Sequence, residues 1–264
     1  MLSLTIDGRR VRAREGETIL AAAQAAGIDI PALCHHPALE PYAACRLCMV
    51  EILEKGGSRL ATSCNTPVAS GLTVRTRSPR ALAARRMNLE LLLSRAPKAA
   101  VLQALAARYH ISGTRFPAES PDEDCILCGL CVRICEQVVG ASAICFAGRG
   151  SERHLTTPFE IFSDACIACG ACTYVCPTDS VQMESETAEH FREQTGPFRQ
   201  CRYSLMGIIP YALCANSFRC ATCEVDQRFR DSMETHPIFV ARECRLEPVS
   251  TYDRFLQKIR KEST

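Results

Sequence analysis

Two blocks of cysteines dominate the chemistry that this sequence can perform. The first reads CILCGLCVRIC over residues 125–135, and the second reads CIACGACTYVCP over residues 166–177. Both have the spacing C-x2-C-x2-C-x3-C, which is typical of paired [4Fe–4S] clusters, and the fourth cysteine of each block binds the other cluster. The spacing therefore predicts two ligand sets: Cys125, Cys128, Cys131 and Cys176 for one cluster, and Cys166, Cys169, Cys172 and Cys135 for the other.

Two other uses of clustered cysteines fit this spacing poorly. Zinc sites are usually built from two separated C-x2-C pairs, and disulfide frameworks belong mainly to small exported proteins. Other residues of the blocks agree with cluster binding. Gly129 and Gly170 have no Cβ where the backbone must pass close to sulfur, and Pro177 turns the chain away after the last ligand. Zinc and disulfides are therefore rejected for these blocks.

Composition restricts the compartment and the class of partner. The chain has 264 residues, 18 cysteines and a formal net charge of +2. No apolar signal segment follows Met1, and no apolar run is long enough to cross a membrane. Because the cysteines have metal-binding spacing, a reducing, cytoplasmic location is predicted. The small net charge argues against nucleic acid as the main ligand, which would require a strong basic patch.

Residues 1–78 have the pattern of a small β-grasp ferredoxin domain. Alternating residues at the start and the Asp7-Gly8 turn predict a first β-hairpin. A short helix over residues 18–26 follows, and a second hairpin turns at Gly56-Gly57 before a closing strand. Two strands, a helix and then a cysteine-rich loop suggest a β-grasp ferredoxin.

The four cysteines of this domain have the spacing C-x10-C-x2-C-x15-C, whose first gap is longer than that of plant-type ferredoxins. Together with the stretches TIDGRRVRAREGETILAAAQAAGIDIPALCHHP and ACRLCMVEI, it resembles the domain that opens the large iron–sulfur subunit of respiratory complex I. Related subunits of NAD-linked hydrogenases and formate dehydrogenases share that domain. The resemblance implies one [2Fe–2S] cluster with these ligands: Cys34, Cys45, Cys48 and Cys64.

His35 and His36 raise the alternative of Rieske-type ligation, in which two histidines replace two cysteines. Cys34 and His36 fit half of such a motif. The other half needs a histidine paired with a second cysteine, and the Cys45–Cys48 pair offers none. His36 is therefore predicted to be a polar loop residue that packs near the cluster.

Residues 79–115 are predicted to form a helical linker. Ser78 is a candidate N-cap with Pro79 at the first helical position, and a second helix covers about residues 98–109. Five apolar side chains are available for the buried face of the first helix: Leu82, Met87, Leu89, Leu92 and Leu93.

The same linker lacks a site that the complex I family commonly has. Members carry a histidine followed by three cysteines here, which bind another [4Fe–4S] cluster. This sequence has only RAPKAAV between its two matching stretches, with Ala96 where the histidine would stand. No cysteine occurs between Cys64 and Cys125, so that cluster is predicted to be absent.

Residues 186–264 contain a further cysteine set with the spacing C-x12-C-x5-C-x2-C: Cys201, Cys214, Cys220 and Cys223. Four cysteines ending in C-x2-C have metal-binding spacing. A third [4Fe–4S] cluster fits a chain that already binds iron, and we favour it. The alternative is a structural zinc ion that stabilises a segment too small to form its own core.

Three features lie outside these cysteine sets. Cys145 is predicted to be a single buried thiol, and Cys244 receives no role. Residues 252–264 have the pattern of an amphipathic helix.

The sequence therefore predicts an α+β protein of four parts. These are a [2Fe–2S] β-grasp domain over residues 1–78, a helical linker over 79–115, a two-[4Fe–4S] bacterial ferredoxin-like domain over 116–185, and a cysteine-rich metal-binding segment over 186–264. No dinucleotide fingerprint, phosphate-binding loop or catalytic triad pattern is visible, so no catalytic residue is predicted.

Several metal clusters without an active site indicate an electron-transfer subunit of a soluble oxidoreductase complex. The resemblance implies two partners: a flavoprotein subunit that binds NAD(P)H, and a catalytic redox subunit such as a hydrogenase or formate dehydrogenase. The alternative is an iron–sulfur regulatory protein that senses redox state. It would require a solitary protein with an effector surface, and the sequence shows no basic recognition element.

Overall fold

The computed structural model describes residues 1–118, 121–193 and 199–242, without the side chains of 183–186. The described chain divides into two compact units. The first holds Met1–His35 and Pro41–Cys128, and the second holds His36–Glu40 and the residues from Gly129 onward. Cys244 and the helix expected over 252–264 lie outside the described residues.

The first unit is built on a five-stranded sheet. Its strands are β1 (Leu2–Ile6), β2 (Arg9–Ala13), β3 (Met49–Glu54), β4 (Gly57–Thr62) and β5 (Thr73–Arg75). Their spatial order is β2-β1-β5-β3-β4. Only β1 and β5 pair in parallel; β1–β2, β3–β4 and β3–β5 are antiparallel. Both predicted hairpins are therefore present, and β5 closes the sheet between them.

Helix α1 (Ile19–Ala25) covers this sheet and completes its core. Thr18 caps it, since its side chain accepts a hydrogen bond from the N–H of Ala21 at 3.2 Å. Gly27 follows the helix with φ of 71°, a left-handed conformation that glycine adopts without strain. The buried side chains of α1 pack with alternate residues of the strands, and Cys48 and Cys64 belong to the same cluster. The sheet and helix thus bring cysteines from separate loops to one core.

Helices α2 (Pro79–Arg95) and α3 (Ala100–Arg108) form the predicted helical segment. Ser78 caps α2 as expected, because its hydroxyl accepts a hydrogen bond from the N–H of Ala81. Leu89 and Leu93 are buried as predicted, but the expectation for Met87 is wrong, since 41% of it is exposed.

Arg85 occupies the buried face of α2 instead and is 2% exposed. Its Nε and Nη2 atoms donate to the carbonyl of Met49 at 3.0 and 2.7 Å. The apolar pattern cannot reveal such a contact, because a carbonyl at the end of a strand has no signature in the side-chain sequence.

The second unit has short helices around a small hairpin. Helix α4 (Leu130–Ile134) continues into a π-helical turn, Cys135–Val139. Strands β6 (Cys145–Ala147) and β7 (His154–Thr156) pair antiparallel. Helices α5 (Ala171–Val175) and α6 (Met183–Glu193) follow, and then α7 (Arg202–Leu205), α8 (Glu224–Ser232) and α9 (Pro237–Ala241).

The α+β architecture is as predicted. The prediction for Cys145 is wrong in one respect, because this residue on β6 is only half-buried. Among the described helices, none combines the length and the apolar character that a membrane span requires.

Candidate metal centres

Four cysteines of the first unit, Cys34, Cys45, Cys48 and Cys64, are buried close together. Cys48 directly precedes β3, Cys64 follows β4, and Cys34 and Cys45 lie in the long loop between α1 and β3. Each is at most 5% exposed. The N–H of Cys45 donates to the Sγ of Cys34 at 3.4 Å, so the two loop cysteines are in direct contact. The structure therefore brings this predicted set together.

The electrostatics of this set fit a metal cluster better than four thiols. The hydrogen bond with Cys34 and burial raise the pKa of Cys45, and the hydrogen bond with Cys48 raises the pKa of Cys64. The hydrogen bond from Cys64 lowers the pKa of Cys48 to about 7. Ionising one thiol thus makes the next harder to ionise. Iron cations would supply the positive charge that four crowded thiolates need.

Two residues that hold the backbone of this site by hydrogen bonds were not predicted from the sequence. The backbone N–H and the hydroxyl of Ser63 donate to the carbonyl of Cys48 at 3.0 and 2.8 Å. Arg85 binds the next carbonyl, that of Met49. Together these donors fix the backbone that carries Cys48.

His36 has structural contacts rather than the surroundings of a ligand. Its Nδ1 accepts a hydrogen bond from the N–H of Ala38 at 3.2 Å, and its ring stacks on Phe239 with centroids 4.8 Å apart.

A cavity in the second unit lies where one [4Fe–4S] cluster was predicted. Besides the four cysteines of the predicted set, its walls are apolar or backbone. The lining residues are Cys135, Val139, Ala141, Ala143, Ile144, Cys166, Ile167, Cys169, Gly170, Ala171 and Cys172. Thiols around an apolar cavity are the donors that an iron–sulfur cube requires.

The backbone conformation around these cysteines orients their thiols toward the cavity. Gly170 precedes α5 with φ of 78°, and Cys172 lies in the first turn of that helix. Cys135 begins the π-helical turn, and its Sγ accepts a hydrogen bond from the N–H of Ala143 at 3.2 Å. Burial raises the pKa of Cys169 to about 11 and that of Cys172 to about 12. Without a bound cation, both groups would therefore stay protonated at neutral pH.

The other predicted set is divided between the compact units. Cys125 and Cys128 belong to the first unit, and Cys131 and Cys176 belong to the second. The Sγ of Cys125 accepts a hydrogen bond from the N–H of Leu127 at 3.4 Å. The Sγ of Cys176, directly after α5, lies 3.6 and 3.5 Å from the hydroxyls of Thr178 and Ser180.

The two cysteine blocks repeat one backbone conformation. Leu127 and Ala168, each before the second cysteine of its block, have φ of 51° and 50°. Gly129 and Gly170, each after that cysteine, have φ of 74° and 78°. The glycines are therefore explained by positive φ, in addition to the expected close approach of backbone to sulfur.

The region of the missing His/Cys3 site is packed with apolar side chains. Ala96 and Ala99 are 0% and 3% exposed. Arg95 beside them donates from Nε to the carbonyl of Cys125 at 3.0 Å, and Ser94 donates to the carbonyl of Pro117 at 2.7 Å. The end of α2 thus anchors the chain that leads into the first cysteine block.

The C-terminal set lies on a short β-bridge and the start of a helix. Gln200 and Leu213 form the bridge, flanked by bonds from the Cys201 N–H to the Ala212 carbonyl (2.8 Å) and from the Cys214 N–H to the Arg199 carbonyl (2.7 Å). This register makes Cys201 and Cys214 diagonal neighbours across the bridge.

The remaining two cysteines of the set follow on the next turn. Cys220 begins a 3₁₀ turn, and Cys223 is the N-cap of α8. Burial raises the pKa of Cys220, and Cys214 and Cys223 raise it further. These three thiols therefore lie within electrostatic range of one another. Within 1–118, 121–193 and 199–242, no three His, Cys, Asp or Glu side chains are arranged as a single-ion site.

A buried ion pair lies beside this set. Neither the apolar periodicity nor the cysteine spacing of the sequence predicts it. Arg202 is 6% exposed and donates from Nη2 to Asp226, which is 0% exposed. The hydroxyl of Tyr203 donates to the same carboxylate at 2.8 Å, and Arg230 does so at 2.5 Å. Burial acts to raise the pKa of Asp226, but these donors outweigh it and hold the pKa below its ordinary value.

Comparisons with known proteins match both cluster regions. Residues 1–79 match a 2Fe-2S iron–sulfur cluster binding domain, and residues 124–180 match a 4Fe-4S dicluster domain. A crystal structure of an NAD+-reducing [NiFe]-hydrogenase in its H2-reduced state has a chain that is 33% identical. The match covers 59% of this chain and 74% of that chain, with a TM-score of 0.53.

Curated relatives are subunits of larger oxidoreductases. The NADP-reducing hydrogenase subunit HndD of Solidesulfovibrio fructosivorans is 36% identical over 69% of this chain and 36% of the relative. The mitochondrial NADH-ubiquinone oxidoreductase 78 kDa subunit of Candida albicans is 31% identical over 60% of this chain and 25% of the relative. The chain thus spans about a quarter to a third of the length of these relatives.

The resemblance, both domain matches and the two buried cysteine arrangements point to one family. The chain belongs to the iron–sulfur protein family that includes the large iron–sulfur subunit of complex I and the corresponding subunits of NAD(P)-reducing hydrogenases.

Proposed function

We propose that this chain is a multi-cluster electron-transfer subunit of an oxidoreductase complex. It would relay electrons between a flavoprotein subunit that binds NAD(P)H and a catalytic redox subunit of the hydrogenase or formate dehydrogenase kind. Bound clusters supply one-electron redox chemistry. The cytoplasm is the proposed compartment, since so many cysteines at metal-binding spacing suit reducing conditions.

The observation that carries this proposal is the pair of buried cysteine arrangements, one in each compact unit. The Cys34, Cys45, Cys48 and Cys64 set would hold a [2Fe–2S] cluster, and the cavity of the second unit would hold a cube. The four cysteines of the first set are buried, and the cavity of the second unit is lined by apolar groups beside its cysteines. Such burial and hydrogen bonds to sulfur are the means by which a protein sets cluster potential.

The remaining ligand sets are part of the same proposal. Cys125, Cys128, Cys131 and Cys176 would hold the second cube of the ferredoxin-like region, 116–185. Cys201, Cys214, Cys220 and Cys223 would hold a third cube. One observation supports the last assignment: the Sγ of Cys214 accepts a hydrogen bond from the N–H of Phe218 at 3.2 Å. A backbone N–H donates in the same way to Cys34, Cys125 and Cys135 in the other three sets.

Metal analysis with electron paramagnetic resonance tests these assignments. Wild-type protein and the Cys220→Ser/Cys223→Ser variant are purified without oxygen. We expect about 14 iron atoms per wild-type chain, two from the [2Fe–2S] site and four from each of three cubes. The variant should lose about four iron atoms and the signal of one cube.

Two outcomes contradict parts of the proposal. Unchanged iron in the variant with loss of one zinc ion would show that the C-terminal set is a zinc site. Chemically reduced wild-type protein without the signal of any iron–sulfur cluster would overturn the electron-transfer function itself. The partner proposal is tested separately, by co-purification of a flavoprotein with the tagged chain from its own cells. Purification of the chain alone under anaerobic, low-salt conditions would contradict it.

A further inference from the structure

Two cysteines of the first set leave the five-stranded sheet at the same end. Cys48 directly precedes Met49, the first residue of β3. Met49 pairs with Thr62, the last residue of β4, and Cys64 follows two residues later. We call this end of the sheet, from which Cys48 and Cys64 extend, the cysteine end.

An open cleft with several arginines lies at the cysteine end. Strand β5 runs antiparallel to β3 with Arg75 opposite Glu51, so the residues that follow Arg75 lead toward the end that carries Cys48. Strand β1 is parallel to β5, which brings the turn after β1 to this end as well. That turn, the segment after α1 and the chain from β5 into α2 line the cleft.

Three arginines of the cleft have no partner for their charge. Their side chains are exposed, and within residues 1–118, 121–193 and 199–242 they make no hydrogen bond or ion pair. They are Arg9, Arg75 and Arg77. Since a guanidinium stays protonated at every physiological pH, these three positive charges are permanent.

The two carboxylates of the cleft do not balance this charge. Asp29 forms an ion pair with Arg108 of α3. Asp7 accepts hydrogen bonds from the N–H and the hydroxyl of Thr76. With Arg108 included, four guanidinium groups stand against two carboxylates, which leaves an excess of two positive charges.

This combination of charge, exposure and position suits a transient partner with an acidic surface. The guanidinium fork binds carboxylates through two hydrogen bonds, and unpaired surface charges steer a partner of opposite charge during association. Weak complexes between redox proteins use small interfaces of this kind. A partner bound at the cysteine end would lie beside the segments that carry Cys48 and Cys64.

We propose that the arginine-lined cleft is the docking site for an acidic surface of the flavoprotein subunit. The proposal rests on the proposed function, which supplies that partner and the cluster in the first cysteine set. It adds the surface that the partner recognises: Arg9, Arg75 and Arg77 bind its carboxylates at the cysteine end of the sheet.

Two double variants with equal loss of charge test the docking site. Arg75→Gln/Arg77→Gln removes two positive charges from the cleft. Arg12→Gln/Arg14→Gln is the matched control, because it removes two exposed arginines near the opposite end of the same sheet, where Leu2 pairs with Ala13. Equal iron content and an equal [2Fe–2S] signal in both variants show that the first unit is intact.

Binding is measured on the complex that the tagged chain forms in its own cells. The captured complex is washed with rising NaCl, and the released flavin is measured. We expect the cleft variant to release half of its flavin at an NaCl concentration about threefold lower than wild type, or to retain none, because salt screens exposed charges. The control variant should stay within about 1.5-fold of wild type.

Equal release from the cleft and control variants would overturn the docking site and would leave the cleft to a small anion or to a second copy of this chain. If the cleft variant loses iron, Arg77→Glu decides against Arg14→Glu. Both residues lie outside the strands, and each reversal also changes the charge by two units. Unchanged release from Arg77→Glu would overturn the proposal in the same way.

The failure of the docking site and the failure of the proposed function give different results. A wild-type chain that captures no flavoprotein contradicts the partner assignment, and the docking proposal falls with it. A flavoprotein held equally by wild type and by the cleft variant refutes the docking site alone.

Discussion

The Nε2 atom of His236 lies 2.9 Å from the carbonyl oxygen of Cys169. Its Nδ1 atom accepts a hydrogen bond from the N–H of Ile238 at 3.2 Å. Because a carbonyl can only accept, the proton of the neutral ring must be on Nε2. Burial lowers the pKa of His236 to about 4, which favours this neutral form. One imidazole thus connects the start of α9 to the backbone of a predicted cluster ligand.

Replacement of His236 should loosen this connection. We expect His236→Ala to raise the amide exchange rate of residues 238–241 about tenfold, which corresponds to about 1.4 kcal/mol, because the hydrogen bonds of His236 with Cys169 and Ile238 are lost. Hydrogen exchange with mass spectrometry measures it. His154→Ala, at a side chain that is 50% exposed, is the matched control. Equal exchange in both variants would show that His236 does not anchor α9.

Loss of one buried cysteine should remove the [2Fe–2S] signal alone. Cys45→Ser is expected to lower the iron content by about two atoms per chain and to leave the cube signals in place, since its set lies wholly in the first unit. His36→Ala serves as the control, because His36 stacks on Phe239 and is not expected to bind iron. Iron loss in the His36 variant would support the alternative in which His36 is a Rieske-type ligand.

Filling the cavity of the second unit should exclude its cube. Ala143 is 1% exposed and lines the cavity, while its N–H donates to Cys135. Ala143→Leu keeps that backbone donor but adds three carbons to the space, so we expect the loss of about four iron atoms. Ala107→Leu, on the exposed face of α3, should retain all the iron. Full iron content in Ala143→Leu would mean that the cavity is not the cluster site.

The buried arginine of α2 should stabilise the first unit. Arg85→Met leaves the carbonyl of Met49 without two donors, and we expect the β3 amides to lose about 2–3 kcal/mol of protection. Arg86→Met, at the adjacent exposed position, is the control and should change protection by less than about 0.5 kcal/mol. Protection is read by hydrogen exchange. Unchanged protection in Arg85→Met would mean that water replaces the guanidinium.

Most of the first unit could be predicted because its signals are local. Alternating apolar residues, the Ser78 cap and the glycine turns each act over a few residues, and β1, α1 and α2 begin and end within one or two positions of the prediction. The apolar face of α2 was predicted less well. Met87 is flexible enough to lie at the surface, and Arg85 is buried only because a carbonyl from a distant strand accepts its hydrogen bonds.

The candidate sites show the same difference between local patterns, which could be predicted, and long-range contacts, which could not. Cysteine spacing predicted the thiols that line the cavity, because ligands two or three residues apart lie on one short loop. The first set was predicted from the family resemblance, and the structure brings its four thiols close together. The residues that hold those loops were not predictable. Ser63, Arg95, Arg202 and His236 act through single contacts with backbone or carboxylate atoms far along the chain. Such contacts depend on the finished fold and leave no spacing pattern.

The short segment His36–Glu40 has a consequence for how this chain could have been assembled by recombination. It lies between Cys34 and Cys45 in sequence but belongs to the second compact unit, so the chain crosses the unit boundary at 35/36, 40/41 and 128/129. Glu40 accepts a hydrogen bond from Arg133 at 2.7 Å and donates one to Gln137 at 3.2 Å. A gene fragment ending at residue 128 would encode the whole first cysteine set yet leave this segment without those partners. An exchange of the first unit alone would therefore remove both hydrogen bonds of Glu40.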